Sequence, residues 1–305
     1  MRKILTAGLM LLLIMRVNCQ IYTADSTTQV IAYWDKDEKH TYIISNEKLK
    51  IQGGDTITRD FTKYEVDITI RDSTKNGYLI NWFYHDYKVE TDNELIIKLS
   101  SIIEDMNVQI KTDDLGVFVE VVNWEEIRDF IFKGTLMLKQ ELKDIPNIEK
   151  VIIQMENMYN SKQTIEASAI NEIIQFHYFH GLEYKLLEEY SYDNKLTNMF
   201  GGEPFNAKVN YWLDEINYDD NNAVYRMHQS VDSVQLTNET FDYLTKMAAT
   251  MQTPTPRREK FPYLHNEIWT ASRIHGSGWP LYSIQTKEVT AEDVIQIEEC
   301  IIDLK

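Results

Sequence analysis

The clearest periodicity in the chain lies between Phe61 and Tyr87. Tyr64, Val66, Ile68 and Ile70 alternate with Glu65, Asp67, Thr69 and Arg71, so the apolar residues share one face of a strand. The segment Asp72–Gly77 interrupts this pattern and ends in Asn76-Gly77, a pair suited to a tight turn. The aromatic-rich Tyr78–Tyr87 then supplies the second arm of a hairpin. Before it, Tyr42–Ile51 reads as a strand closed by Gly53-Gly54-Asp55. After it, Asp92 and Asn93 cap a helix striped by Ile96, Leu99, Ile103 and Met106. Short strands follow near Val108–Lys111 and Val117–Val122. Asn123 and Glu126 then form a variant capping box that opens a helix running to Lys143.

The middle of the chain is helical. Pro146 breaks it, and Ile148, Val151, Ile152, Met155 and Tyr159 stripe one face of a further helix. Another helix is expected over Ser161–His180, with Gly181 at its C-cap. From Tyr184 the early pattern returns. Tyr184–Lys195 reads as a strand, Gly201-Gly202-Glu203 stands where Gly53-Gly54-Asp55 stood, and Ala207, Val209, Tyr211 and Leu213 alternate with polar residues. Asn238-Glu239, Phe241, Leu244, Ala248 and Met251 match Asn93-Glu94, Ile96, Leu99, Ile103 and Met106 at a constant offset of 145 positions. Strands near Ile268–His275 and Leu281–Glu288 follow, and Val289–Val294 parallels Val122–Ile127. The last dozen residues satisfy helix and strand periods equally.

These patterns predict an α+β fold built from duplicated antiparallel units, each with three strands, one helix and two strands. The units form one or two curved sheets, and the helix of each unit covers its apolar face. The expected organisation is a signal peptide at 1–19, a first unit at 20–125, a helical connector at 126–182 and a second unit at 183–305.

Composition narrows the functional classes. Arg2 and Lys3 precede an apolar run, Ile4–Met15, too short to span a bilayer but suited to a secretory signal. Cleavage after Val17-Asn18-Cys19 would give an exported, periplasmic or extracellular protein with no membrane span. Lipid anchoring at Cys19 is disfavoured, because Arg16 occupies the position where such sites want an aliphatic residue. Cleavage also leaves Cys300 without a disulfide partner. It removes three of 31 basic residues and none of the 48 acidic ones, leaving a net charge near −20. Such a field repels phosphate backbones, which argues against nucleic acid as a partner.

In element order the chain resembles the half-barrel exported proteins that carry lipids or lipoproteins across the periplasm, and several families of exported bacterial proteins of unknown function. The resemblance spans residues 40–290 in outline and implies a curved sheet with a cleft. It transfers no functional residue.

No catalytic constellation emerges from the residues. The neighbouring acids Glu125-Glu126, Glu188-Glu189 and Asp219-Asp220 diverge on any regular element, and Gly276-Ser277-Gly278 lacks the setting of a nucleophile elbow. His177 and His180 have a spacing that allows a shared metal, yet no acidic residue completes a known zinc helix, so metal binding there is disfavoured. The surplus is aromatic. Trp82, Tyr84, Tyr211, Trp212, Trp269 and Trp279 are the candidate ligand-binding residues, because consecutive aromatics on a strand make both faces apolar. The expected function is a non-enzymatic exported binding protein, without a cofactor, that holds an apolar or peptide ligand between sheet and helices. The alternative is an envelope structural or protein-interaction module. A metal-dependent hydrolase at His177 and His180 ranks last.

Overall fold

The computed structural model describes residues 21–22, 25–92, 94–143, 148–198, 202–251 and 253–305. The segment 1–20, Asn93, Pro146 and Gly201 lie outside these, and with them the expected signal peptide and the first helix cap. In chain order the elements are β1 (Ile21–Tyr22), β2 (Thr27–Gln29), β3 (Lys39–Gln52), β4 (Asp55–Thr74), β5 (Gly77–Glu90), α1 (Glu94–Ile103), β6 (Asn107–Thr112) and β7 (Phe118–Val121). Then come α2 (Trp124–Glu141), α3 (Ile148–Met158), α4 (Lys162–Ser168), α5 (Asn171–His177), β8 (Glu183–Lys185) and β9 (Glu189–Leu196). The chain continues with β10 (Phe205–Asn217), β11 (Asn222–Val231), α6 (Ser233–Met251), β12 (Leu264–His275), β13 (Pro280–Ala291) and β14 (Val294–Leu304).

Eleven strands form one antiparallel sheet in the order β7-β6-β5-β4-β3-β14-β13-β12-β11-β10-β9. The fold is α+β. Strands β3 to β7 meander outward from the centre, and β9 to β14 meander back to it. The undecided C-terminal stretch is a strand, β14, and it sits at the centre beside β3. A small sheet, β1-β2-β8, is not paired into the large one but packs on its later strands, where Tyr225 donates its hydroxyl to Thr28 Oγ1 at 2.9 Å.

The alternation read from β4 is kept, since Tyr64, Val66, Ile68 and Ile70 are all buried. Ile80, Trp82 and Tyr84 of β5 lie on the same side. The cover differs from the expectation. Over β3–β6 it comes mainly from α2–α5, the segment read as a connector, whose Ile127, Ile131, Ile152, Ile165, Ile173 and Phe176 share one core with the strands. Helix α1 adds Ile102, which packs where Gly134 of α2 leaves room: a Cβ there would stand 2.5 Å from Ile102 Cγ2. A second, smaller core joins Val30, Phe179 and Tyr184 to Val209, Leu213, Tyr225 and Ile274 of the later strands.

Other expectations are corrected by identifiable contacts. Strand β4 runs on to Thr74, absorbing a bulge between Ile70 and Asp72, so the turn is only Lys75-Asn76. The helix expected over Ser161–His180 breaks between Ser168 and Asn171. Gly181 is not a C-cap. Its N–H donates to Val30 O at 2.8 Å, and with φ +83 a Cβ there would meet Val117 Cγ2 at 2.5 Å. Asn123 caps no helix N–H; its side chain accepts from Gln109 N at 2.8 Å and donates to Asn107 O at 2.9 Å, pinning β6. Helix α6 starts at Ser233, where Asp232 Oδ1 accepts from Gln235 N at 2.8 Å, so Asn238-Glu239 sits inside the helix rather than at its cap. The strand read at Tyr184–Lys195 divides at Leu187, whose φ is +59, and its first part joins the small sheet. Val289–Val294 is strand, turn and strand, unlike the helix start at Val122–Ile127.

The first residues of β4 are exposed, whereas alternate residues from Tyr64 to Ile70 face the core, which makes an internal comparison available. Ile68→Ala, at a site with no exposure, is expected to lower stability by about 2–5 kcal/mol. Ile57→Ala, 54% exposed, should change it by less than about 0.5 kcal/mol in the same chemical denaturation experiment.

Candidate functional site

The six candidate aromatics fall into three separate places. Trp82, Tyr84 and Trp279 are buried in the larger core beneath the helices, where Trp279 lies 4.8 Å from Trp34 and donates through Nε1 to Glu38 Oε1 at 2.8 Å. Tyr211 stacks on Tyr190 at 5.5 Å and meets Tyr184 edge-on beside the smaller core. Trp212 and Trp269 come together on the opposite face of the sheet. There Trp269, 38% exposed, stacks on His228 at 5.2 Å, and a groove of about 170 Å³ runs between Trp212, Arg226, Trp269, Ala271, Ile284 and Thr286.

A pocket of about 200 Å³ opens between the sheet and the first turn of α5, lined by Asn46, Lys48, Glu172, Gln175, Lys287 and Cys300 among others. Of its lining residues the sequence drew attention only to Cys300, as an unpaired thiol. Glu172 is half-buried as a residue with its carboxyl turned inward, where Tyr84 donates its hydroxyl to Oε1 at 2.8 Å. Burial pushes the carboxyl above the usual range, while its own backbone N–H, the hydroxyls of Tyr84 and Tyr64 and the charge of Lys287 pull it back. Tyr64 stacks on Tyr87 at 4.6 Å and accepts from Asn46 Nδ2 at 3.2 Å. Burial, reinforced by Glu172, pushes the Cys300 thiol up, so Cys300 is a poor nucleophile. Gln175 Nε2 donates to Ser283 Oγ at 3.0 Å and to the Cys300 carbonyl at 3.3 Å, fixing α5 to β13 and β14. The groups left at the mouth offer hydrogen bonds of both senses and charges of both signs.

His177 and His180 are brought together at the end of α5, their rings 5.4 Å apart and both buried. Each is held by one nitrogen: His177 Nδ1–H donates to Gly116 O at 2.8 Å, and His180 Nε2–H donates to Gly278 O at 2.9 Å. The other nitrogens, His177 Nε2 and His180 Nδ1, have no hydrogen-bond partner, and neither do the nearby indole N–H groups of Trp34 and Trp82. Burial lowers His177 to about 3 and His180 to about 4, so both imidazoles stay neutral.

Two other arrangements are local. His275 Nδ1 and Ser277 Oγ are 2.8 Å apart, but the Ser277 N–H also donates to that nitrogen within the same turn. Glu65, His85 and Asp86 lie close enough to share an ion, yet Lys305 Nζ already occupies Glu65 at 2.7 and 2.8 Å.

No protein family and no curated protein matches the chain. Among solved structures, DynF from the dynemicin biosynthesis pathway of Micromonospora chersina aligns over 99% of this chain and 92% of its own, with 5% identity and a TM-score of 0.21. A Bacteroides fragilis protein described as exported and as having a YmcC-like fold aligns over 90% of this chain and 99% of its own, with 7% identity and a TM-score of 0.25. At these scores neither likeness carries an argument about fold or function. Among the described residues no helix is long and apolar enough to cross a membrane.

The buried histidines set a pH dependence. In the unfolded chain each takes a proton as pH falls through about 6.5, whereas in the fold each stays neutral until about 4 or about 3. Unfolding therefore takes up protons across that window, and stability falls as pH falls, by up to about 1.4 kcal/mol per pH unit for each ring. Melting temperatures measured from pH 7 to 4 should drop more steeply for the native chain than for His177→Gln.

Proposed function

We propose that this is a non-enzymatic exported binding protein that takes a small polar ligand in the pocket between α5 and the sheet. The reading rests chiefly on one observation: the gap between sheet and helices at Glu172 is lined by polar groups, beside the larger apolar core. Its volume of about 200 Å³ lies below the roughly 300–1,000 Å³ of sites that enclose drug-sized molecules, which favours a small polar ligand over a lipid chain. Glu172, held by Tyr84, would accept a hydrogen bond or a cationic group from the ligand, and Lys287 would meet an acceptor or anion. Export, to the periplasm or beyond, is supported by the basic and apolar character of residues 2–15.

A second reading, contact with another envelope protein, is favoured by the groove at Trp212 and Trp269 on the face that the helices leave open. Descent of the two halves from one unit is part of the same proposal. It is supported by the shared order β3-β4-β5-α1-β6-β7 and β9-β10-β11-α6-β12-β13, both meandering within the sheet. The displaced start of α6 weakens it.

The test is native mass spectrometry of the chain purified from its own host. A small co-purifying mass is expected, and Glu172→Gln should weaken its retention by roughly 10- to 100-fold, the worth of a hydrogen bond to a charged group. A chain that carries nothing, and whose melting temperature no small polar compound raises, would refute the pocket reading. Crosslinking in cells that is lost in Trp269→Ala would then support the groove instead.

A further inference from the structure

We propose that two copies of this chain pair through their β9 edges, continuing the large sheet across a two-fold axis at Tyr192. The proposal does not depend on the pocket at Glu172. An open sheet ends in two edges, and each presents N–H and C=O groups that can template another strand. The β7 edge is blocked. That strand is four residues long, its Val121 N–H donates to Glu166 Oε1 of α4 at 2.7 Å, and Glu120 is paired with Lys162 of the same helix. The β9 edge carries none of these devices. It runs for eight residues, has no proline and no bulge, and among the described residues β10 is its only strand partner.

The ladder fixes which groups point outward. Asp232 N donates to Asn206 O at 2.8 Å, so Asn206 turns its backbone toward β11 and Ala207 turns toward β9. Asn194, Tyr192 and Tyr190 lie opposite Ala207, Val209 and Tyr211, and are therefore the residues bonded to β10. Glu189, Ser191, Asp193 and Lys195 face outward. Lys195 N agrees, since it donates to Asn194 Oδ1 at 2.8 Å, a local bond that a partner's carbonyl replaces.

The strand's own charges name the occupant. Laid antiparallel on itself about Tyr192, it sets Glu189 opposite Lys195 of the second copy, and Ser191 opposite Asp193. All four are outward residues, so each such pair exchanges two backbone hydrogen bonds. Within the chain the Lys195 ammonium donates to the neutral Asn206 Oδ1, which leaves its charge for the partner's Glu189. Neighbouring registers are worse. An axis at Ser191 sets Glu189 against Asp193, and one at Asp193 sets that residue against itself. Tyr192, on the axis, is 45% exposed and braced edge-on against Tyr211 at 5.9 Å. There the two copies form a non-hydrogen-bonded pair, in which side chains approach most closely. A single strand is far below the roughly 20–30 residues a side of a standard interface, so the dimer is reversible, with a Kd on the order of 10 μM.

The measurement is sedimentation equilibrium of the full chain across micromolar concentrations, where a monomer–dimer equilibrium is expected. Ser191→Pro removes an outward N–H without touching the β10 ladder, and should weaken dimerisation by roughly 10-fold with circular dichroism unchanged. Glu189→Lys, which sets lysine against lysine at both ends of the pairing, should weaken it similarly. Adding Lys195→Glu to that chain should restore the parent affinity. These exchanges lie on exposed side chains, so they decide the matter should the proline variant misfold. Under oxidation Tyr192→Cys should crosslink with its own copy beyond the level of the parent chain, and Ser191→Cys, set opposite Asp193, should not. A chain that stays monomeric, a dimer indifferent to the charge exchanges, or crosslinking at Ser191→Cys but not at Tyr192→Cys would each overturn the pairing.

Discussion

The seam between β3 and β14 holds the two halves in one sheet. Every residue of β14 from Val294 to Leu304 pairs with β3, from Gln52 back to Tyr42. The ladder would count for little if it were only backbone, but Tyr42, Ile44 and Ile302 seat it in the larger core, and Tyr42 donates its hydroxyl to Pro280 O at 2.9 Å. A second tie crosses the same boundary. Ala32 N donates to Leu115 O at 2.9 Å and Tyr33 N to Ser277 O at 3.0 Å, so a short strap binds a loop of each half. The carbonyls that hold His177 and His180 belong to these same two loops. The histidine pair therefore exists only where early, middle and late parts of the chain meet.

The helical roof accounts for half of the six candidate aromatics. Trp82, Tyr84 and Trp279 were expected at a ligand surface because consecutive aromatics make a strand apolar on both sides. In the fold one side is covered by α5, whose Phe176 meets Trp82 edge-on at 5.2 Å, and only Phe83 is left on the other, stacked against His85. Packing against the helices consumes the aromatic area, and the gap that remains is polar. The core is completed by chain that the strand pattern treats as a bridge.

Local order was legible where one face of an element is buried and the other is wet. The β4 alternation, the Gly53-Gly54 turn, the Asp113–Gly116 connection and α2 all appear where the pattern puts them. Strand β14 was ambiguous because apolar residues stand on both of its faces, Ile295, Ile297 and Ile301 on one and Val294, Cys300 and Ile302 on the other, so no period of two stands out. The break between α4 and α5 and the early start of α6 were missed for another reason. Helix periodicity marks a face, whereas termini are set by contacts such as Asp232 with Gln235. The pocket as such had no sequence signal, since Asn46, Glu172, Lys287 and Cys300 come from four separate elements and are assembled by long-range register, although Tyr84, which holds Glu172, was among the candidate residues. His177 and His180 were visible as a pair, but not the two distant glycine carbonyls that orient them.

The seam also dictates when the molecule can become itself. Lys48 and Glu298 lie 250 positions apart along the chain yet face each other across it. Closing so long a loop costs entropy before any contact repays it, and topologies rich in such pairings form slowly. The early hairpins can assemble as they emerge from the ribosome, but their central edge stays open until the final strand arrives.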